Sequence, residues 1–169
     1  LVCDGAPPAS PHRPRRSECG LPERGIVFCC FSQPYKIEPV MFDCWMRVLR
    51  EVPDSVLWLW DSQGMAAANL RAEARARGIA PQRLIFTGTA SKPDHLRRLE
   101  LADIALDTRI YNGHTTTVDL LWAGVPVIVA DNRCEAVRKL RKQGVNVVVS
   151  DDGLQHYRLP RNLEICVID

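Results

Sequence analysis

Short apolar runs alternate with helical patterns along the chain, beginning at Gly25. Four runs predict strands, at 26–31 ("IVFCCF"), 55–60 ("SVLWLW"), 83–88 ("RLIFTG") and 104–108 ("IALDT"). Helical patterns lie between and after them, at 40–49 after Pro39 and at 65–78, 92–102 and 115–123. Strands that are apolar on both faces and are separated by helices are typical of a parallel sheet covered on both sides. The pattern therefore predicts an α/β, Rossmann-like fold.

The same alternation continues to the end of the chain, with a strand at 125–131, a helix at 132–144 and a strand at 145–151. Residues 1–24 differ, since they are rich in proline, arginine and serine and carry few apolar side chains. We expect a flexible lead-in over 1–24 that buries little surface. One α/β domain follows over 25–169, and its last part, 128–169, forms a tail.

Composition limits the classes of function. The 169 residues are 46% hydrophobic and 25% charged, which is typical of one soluble globular domain. A formal net charge of +2 gives no reason to expect a nucleic acid or a membrane surface as partner. No apolar run approaches the roughly 18 residues needed to span a bilayer. Seven scattered cysteines without paired spacing indicate a reducing cytoplasm and no metal site.

Two loops that follow predicted strands carry polar side chains that a core does not need. Gln33 and Lys36 follow the first strand, and lysine provides a compact charge suited to phosphate. Lys92, His95 and Arg98 follow the third strand at intervals of three, so they share one face of a helix. Ligands of parallel sheets bind beyond the carboxyl ends of the strands. Taken singly, a lysine like Lys36 is most often a surface lysine, and a histidine like His95 is most often a partly buried structural one.

A third loop, "YNGHTTTVDLLWAG" at 111–124, leads into a short helix. Gly113 allows a ligand to approach the backbone, and Thr115 and Thr116 lie at the positive end of the helix, where anions bind. Asp119 lies one turn further on and can accept hydrogen bonds from sugar hydroxyls. The alternative is simple capping of the helix by the threonines. Three such loops at one sheet edge favour a nucleoside diphosphate.

Four blocks of this sequence resemble one known family in the right order. They are "RSECGLPERGIVFCCFSQPYKIEP", "VPDSVLWLW", "ASKPDHLRRLELADIALDT" and "YNGHTTTVDLLWAGVPV". The family is glycosyltransferase family 41, the O-linked N-acetylglucosamine transferases, particularly its bacterial members, and the resemblance is to their C-terminal catalytic half. It runs from about residue 16 to about residue 127. The resemblance implies the C-terminal half of a GT-B fold and the donor substrate UDP-N-acetylglucosamine, with no cofactor.

The resemblance also implies roles for individual residues. The position of Lys36 is the catalytic one, which binds the UDP diphosphate with Gln33 nearby. On the same basis, three further positions meet the phosphates: His114, Thr115 and Thr116. Four positions hold the nucleoside: His95 packs on the uracil, Lys92 and Arg98 lie beside it, and Asp119 meets the ribose.

The end of the chain resembles a second family. "SDDGLQHYRL" and "LEICVID" are similar to part of tetraacyldisaccharide 4'-kinase of the lipid A pathway, over about 125–169. In that kinase the positions of Asp151 and Asp152 are active-site residues. Two resemblances imply a junction near 124–131, and hence a chimera, a fusion or a fragment. The sequence contains no P-loop motif, which phosphoryl transfer of this type requires.

The sequence therefore predicts the UDP-N-acetylglucosamine-binding part of a protein O-GlcNAc transferase-like enzyme, which we expect to be inactive alone. Its partners would be a UDP-sugar, a protein serine or threonine acceptor, the missing N-terminal catalytic half and tetratricopeptide repeats. Two alternatives remain open at this point. The chain is a non-catalytic nucleotide-binding or structural α/β module, or it is a fragment of an ATP-dependent lipid A 4'-kinase.

Overall fold

The computed structural model describes residues 10–61, 64–108 and 115–125, all within the unit Leu1–Val125. These residues form four strands and four α-helices, in the order β1 (Val27–Cys30), α1 (Pro39–Glu51), β2 (Val56–Trp60), α2 (Met65–Ala76), β3 (Leu84–Thr87), α3 (Lys92–Leu99), β4 (Ile104–Ala105) and α4 (Thr115–Trp122). Each matches an element that the sequence pattern predicts. The predicted elements over 126–151, the aspartate pair Asp151 and Asp152, and His114 lie outside the described residues.

The four strands form one parallel sheet in the order β3-β2-β1-β4. The central strands are fully apolar: Val27–Cys30 is buried throughout, and β2 is buried except for Trp60 at its end. Strand β4 is short and pairs with β1 through Ile104 and Ala105 alone. The predicted α/β fold with a parallel sheet is confirmed.

The strand order contains one change of direction. From β1 through β2 to β3 the chain moves toward one edge, and it then crosses by α3 to place β4 on the other side of β1. Ligand crevices of parallel sheets open where the order reverses, beyond the carboxyl ends of the two adjacent strands. In this sheet that point lies after β1 and β4.

Local sequence signals set where the helices begin. Glu38 accepts hydrogen bonds from the backbone of Val40 and Met41, both at 2.9 Å, and Pro39 occupies the first turn of α1. Asp61 accepts bonds from two amides in the first turn of α2. Ser91 caps α3 by accepting a bond from the backbone of Asp94 at 3.3 Å. Each cap satisfies amides that have no partner within the helix.

One face of the sheet packs against α3 and α4. Cys29, Phe31 and Trp58 lie in a single buried cluster with Leu96 and Leu99 of α3 and Leu120 of α4. The intervening side chains of the central strands point to the opposite face and are buried as well. Because α3 and α4 both pack on this core, the core holds the two helices that carry most of the predicted site residues.

The segment before Gly25 buries more than its composition suggests. Leu21 is 4% exposed within the core cluster, and Ser10 is 6% exposed. Arg16 donates hydrogen bonds to the backbone oxygens of Gly25 and Leu101. Most of the other residues in 10–24 are exposed, and the flexible lead-in over 1–24 stays a prediction. Polar contacts hold this segment where apolar side chains are few.

Gly25 is required by its surroundings. Its φ is +94°, and a Cβ added there would lie 2.1 Å from the backbone oxygen of Asp54. We expect Gly25→Ala to lower the free energy of unfolding by about 2 kcal/mol or more, because backbone strain and overpacking add. Gly88→Ala is the matched control, since an added Cβ there meets nothing within 4 Å. Thermal or urea unfolding of both variants measures the difference, and equal stabilities would contradict the account.

Candidate functional site

A tight turn follows β1 at the change of strand order. Pro34–Lys36 forms a short 3₁₀ helix in which the amide of Lys36 donates to the backbone oxygen of Gln33 at 3.0 Å. Tyr35 is 82% exposed, whereas Lys36 is half-buried. Proline suits the first position of such a turn because its φ is fixed and its missing N–H would have no partner. The turn therefore places Gln33 and Lys36 beyond the carboxyl end of β1, as predicted.

Two opposite charges act on the buried thiol at the end of β1. Burial raises the pKa of Cys30 to about 11, hydrogen bonds from Ser32 lower it, and smaller contributions come from Asp107, which raises it, and Lys36, which lowers it. Both charges are thus near Cys30, and Asp107 follows β4. Lys36 and Asp107 thus follow β1 and β4, the two strands that adjoin at the change of strand order.

The polar face of α3 meets α4 at one carboxylate. Lys92 Nζ forms an ion pair with Asp119, and His95 Nε2 lies 3.8 Å from Asp119 Oδ2. Arg98 Nε donates to His95 Nδ1 at 3.0 Å. The predicted common face of Lys92, His95 and Arg98 is confirmed, and Asp119 joins it from the neighbouring helix. We call these four side chains the α3–α4 polar group.

Asp119 is buried on α4, with a side chain 9% exposed, while its partner Lys92 is 49% exposed. A carboxylate has about four lone-pair sites, so contacts to Lys92 and His95 leave capacity for further donors. Burial of the acid makes these contacts less screened than those of a surface pair. The carboxylate of Asp119 can therefore accept hydrogen bonds from the hydroxyl groups of a sugar.

His95 is neutral at physiological pH. Its pKa is lowered to about 4, mainly by burial and next by the charge of Arg98, while Asp119 opposes the shift and Lys92 adds to it. Since Nδ1 accepts from Arg98, the ring proton lies on Nε2 and faces Asp119. Phe31 packs edge-on against the ring with centroids 5.3 Å apart. A neutral, oriented imidazole of this kind can stack on a planar base.

Arg98 is buried, at 8% exposure, and burial lowers its pKa. Besides the bond to His95 it donates to Thr87 Oγ1 at 3.1 Å and to the Gly88 oxygen at 2.8 Å. Its guanidinium lies 5.3 Å from the centre of the Phe31 ring. Within the described residues no carboxylate pairs with it. Neutral partners therefore fix the position of the Arg98 guanidinium. Among the described residues, no carboxylate compensates its charge.

Helix α4 begins at Thr115, as predicted, and ends near Gly124, which has a φ of 75°. Thr115 is exposed and Thr116 half-buried. The first amides of a helix lack partners within it and carry partial positive charge, so this end favours an anion. Thr115 and Thr116 open the same helix that carries Asp119, which links the predicted phosphate and sugar contacts through one element.

Residues that the sequence analysis did not single out support the site. Phe31 contacts both His95 and Arg98, and Thr87 binds Arg98. Phe31 directly follows β1, and Thr87 is the last residue of β3. Their positions at the ends of two predicted strands are the sequence feature that could have identified them as site residues. In the described ranges no set of three or more His, Cys, Asp or Glu side chains is placed to hold a metal ion. No helix there is long and apolar enough to cross a membrane.

The sequence model of glycosyl transferase family 41 matches residues 7–157. The chain belongs to this family. It is 40% identical over 152 residues to a protein of Arabidopsis thaliana named probable UDP-N-acetylglucosamine–peptide N-acetylglucosaminyltransferase SEC, and it covers 15% of that relative. A mutant O-GlcNAc transferase of Thermobaculum terrenum shares the fold with a TM-score of 0.57 and 29% identity, over 83% of this chain and 26% of that one. The GT-B assignment is thereby confirmed.

A second similarity confirms the partial kinase resemblance. The chain is 36% identical over 99 residues to tetraacyldisaccharide 4'-kinase of Aeromonas salmonicida, covering 57% of this chain and 28% of the kinase. That stretch is longer than 125–169, and it overlaps the family 41 match, which reaches residue 157. Because the two matched stretches overlap, they do not define a boundary within the chain. A chimera with a junction near 124–131 stays a prediction.

The buried neutral state of His95 predicts a pH dependence of stability. Its pKa is about 4 folded and 6.5 in the reference state, so the unfolded chain takes up the proton first as pH falls. The free energy of unfolding should decrease as pH drops from about 6.5 toward about 4. Between pH 7 and pH 5 the loss should be roughly 2 kcal/mol larger in the wild type than in His95→Gln.

Urea unfolding at both pH values measures that difference. His12→Gln is the matched control, because His12 lies at the surface in an exposed pair with Glu18. It should keep the wild-type pH dependence. If His95→Gln shows the same pH dependence as the wild type, His95 is not the buried neutral ring described above.

Proposed function

We propose that this chain is the UDP-N-acetylglucosamine-binding part of a protein O-GlcNAc transferase-like glycosyltransferase. Family membership gives the class of reaction, and one structural observation supports the site. Two members of the α3–α4 polar group, His95 and Arg98, pack against Phe31, which directly follows β1 and shortly precedes the turn that carries Lys36. A nucleoside diphosphate needs groups for its base, its sugar and its phosphates at one edge of a sheet.

The α3–α4 polar group suits the nucleoside. In the proposal, the neutral ring of His95 stacks on uracil, and Arg98, held by Thr87 and Gly88, lies behind that ring. Asp119 accepts hydrogen bonds from the ribose hydroxyls, and the ion pair with Lys92 holds its carboxylate in position. A site whose polar groups are fixed before the ligand arrives loses less entropy on binding.

The turn after β1 and the start of α4 suit the phosphates. In the proposal, Lys36 meets the diphosphate with Gln33 beside it, and Thr115, Thr116 and His114 contact it at the helix start. Transfer of the sugar leaves additional negative charge on UDP. A fixed lysine and helix amides stabilise that charge as it develops, which is why Lys36 is the proposed catalytic residue.

The chain spans 15% of the Arabidopsis relative and 26% of the Thermobaculum chain. The acceptor, which we propose to be a protein serine or threonine, would then depend on other parts of a full enzyme, including an N-terminal catalytic half and tetratricopeptide repeats. We propose that the chain alone binds UDP and transfers no sugar. We also propose the cytoplasm as its compartment, since its relatives' reaction uses a nucleotide-sugar and four of its cysteines are free thiols.

Lys36→Ala tests the phosphate contact. Loss of one charge-assisted hydrogen bond should cost about 1.5–3 kcal/mol, or about 10-fold to 150-fold in the UDP dissociation constant. Arg75→Ala is the control, since Arg75 is an exposed cation at the far end of α2. Isothermal titration calorimetry on the full chain measures all three affinities. Absence of UDP binding by folded wild type, or equal affinity in Lys36→Ala, contradicts the assignment.

Competition between nucleotides tests the base. UDP should displace a fluorescent UDP at concentrations at least about tenfold lower than ADP or GDP, because each missing base hydrogen bond costs about 1–3 kcal/mol. Equal displacement by all three would leave a generic phosphate site or a structural module. Preference for ADP, together with magnesium-dependent ATP turnover on a lipid A precursor, would favour the kinase alternative that the similarity to tetraacyldisaccharide 4'-kinase raises.

A further inference from the structure

Helix α3 is held on two sides. Lys92 and His95 face α4, where both approach Asp119. Asp94 and Arg97 make their contacts on another side, with the segment 10–24, which we call the strap. The proposed function uses the first set of contacts and leaves the second unexplained.

The strap is attached to the start of α3 through Ser10. Ser10 Oγ donates to Asp94 Oδ1 at 2.6 Å, and the helix-capping hydroxyl of Ser91 donates to Asp94 Oδ2 at 2.6 Å. Arg97 Nε donates back to the backbone oxygen of Ser10 at 3.0 Å. The hydrogen bonds from Ser10 and Ser91 lower the pKa of Asp94, which keeps it charged. Ser10 is thus bonded to two successive turns of the helix.

A second attachment lies at the other end of α3. Arg16 donates to the backbone oxygen of Leu101 at 3.3 Å and to Asp103 Oδ2 at 2.7 Å. Asp103 Oδ2 also accepts from the amide of Val27 at 2.8 Å, which ties this end to β1. Leu21 packs into the core cluster that contains Leu96. The strap therefore bridges both ends of α3 to the sheet.

Between the two attachments the strap does not fill the space against α3. A cavity of about 160 Å³ lies there, bordered by His12, Pro14 and Cys19 of the strap and by Asp94, Arg97 and Arg98 of the helix. Close packing alone does not hold α3 where neighbouring atoms are missing. The hydrogen bonds at Ser10 and Arg16, together with the packing of Leu21, set the position of the helix on this side.

We propose that the strap positions α3 for nucleotide binding, with Ser10 as the positioning residue that acts through Asp94 and Arg97. This inference rests on the proposed function. An eight-residue helix has little stability of its own, so its place depends on such contacts. A shift of α3 by about 1 Å would exceed the range of donor–acceptor distances over which its side chains can form hydrogen bonds. Loss of the Ser10 contacts therefore loosens Lys92 and His95 relative to Asp119.

The test compares Ser10→Ala with Ser10→Thr, which keeps the hydroxyl, and with Glu18→Gln, whose lost contacts to His12 and Arg15 lie within the strap. Two quantities are measured on the full chain: the UDP dissociation constant by calorimetry, and the pKa of His95 by NMR without ligand. Ser10→Ala should weaken UDP binding about threefold to tenfold, the equivalent of one net hydrogen bond. It should also raise the pKa of His95, because a looser α3 lets water reach the ring.

Ser10→Thr should restore both values toward wild type, and Glu18→Gln should leave both unchanged. Arg97→Gln removes the other bond to Ser10 and should act in the same direction as Ser10→Ala. A folded Ser10→Ala variant with unchanged UDP affinity and unchanged His95 titration overturns the proposal, even if its melting temperature falls. If folded wild type binds no UDP, the proposed function fails, but the ligand-free titration of His95 still decides whether the strap positions α3.

Discussion

The contact between Asp119 of α4 and the polar face of α3 is the interaction on which the site depends. A buried carboxylate is costly unless charges and donors surround it, and here Lys92 and His95 do so from one helix. The same carboxylate keeps the two helices in register above the sheet. Removing Lys92 would leave the buried carboxylate of Asp119 without its cation, so the contact between the helices and the site are fixed together.

The neutral state of His95 follows mainly from burial of its ring and next from the charge of Arg98, while Asp119 opposes it. Arg98 sits behind the ring, bonded to Nδ1 and to neutral oxygens, and its charge disfavours a second cation next to it. Phe31 supports both side chains from the end of β1. The protein thus presents a planar, uncharged ring backed by a cation, next to an acid. This combination suits a ligand with a flat polar base and a hydroxylated sugar.

The sequence predicted the elements of the fold well because β1 and β2 are continuous apolar runs and the helices carry clear caps at Glu38 and Ser91. It did not predict strand order, since pairing of β4 with β1 joins segments far apart in the chain. The spacing of Lys92, His95 and Arg98 predicted a shared face. Their contact with Asp119 could not be predicted because it depends on how α3 packs against α4. The contact of Ser10 with Asp94 was missed because a proline- and arginine-rich composition gives no signal for a single hydrogen bond.

The central claim is that the α3–α4 polar group binds the nucleoside of UDP. NMR of the ring protons of His95, assigned by comparison with His95→Gln, tests it most directly during a titration with UDP and, separately, with inorganic pyrophosphate. The account predicts that UDP shifts the His95 ring resonances in proportion to its occupancy, through the ring current of the stacked base, and that pyrophosphate at equal occupancy shifts them far less. Binding of UDP that leaves the His95 ring unperturbed would contradict it.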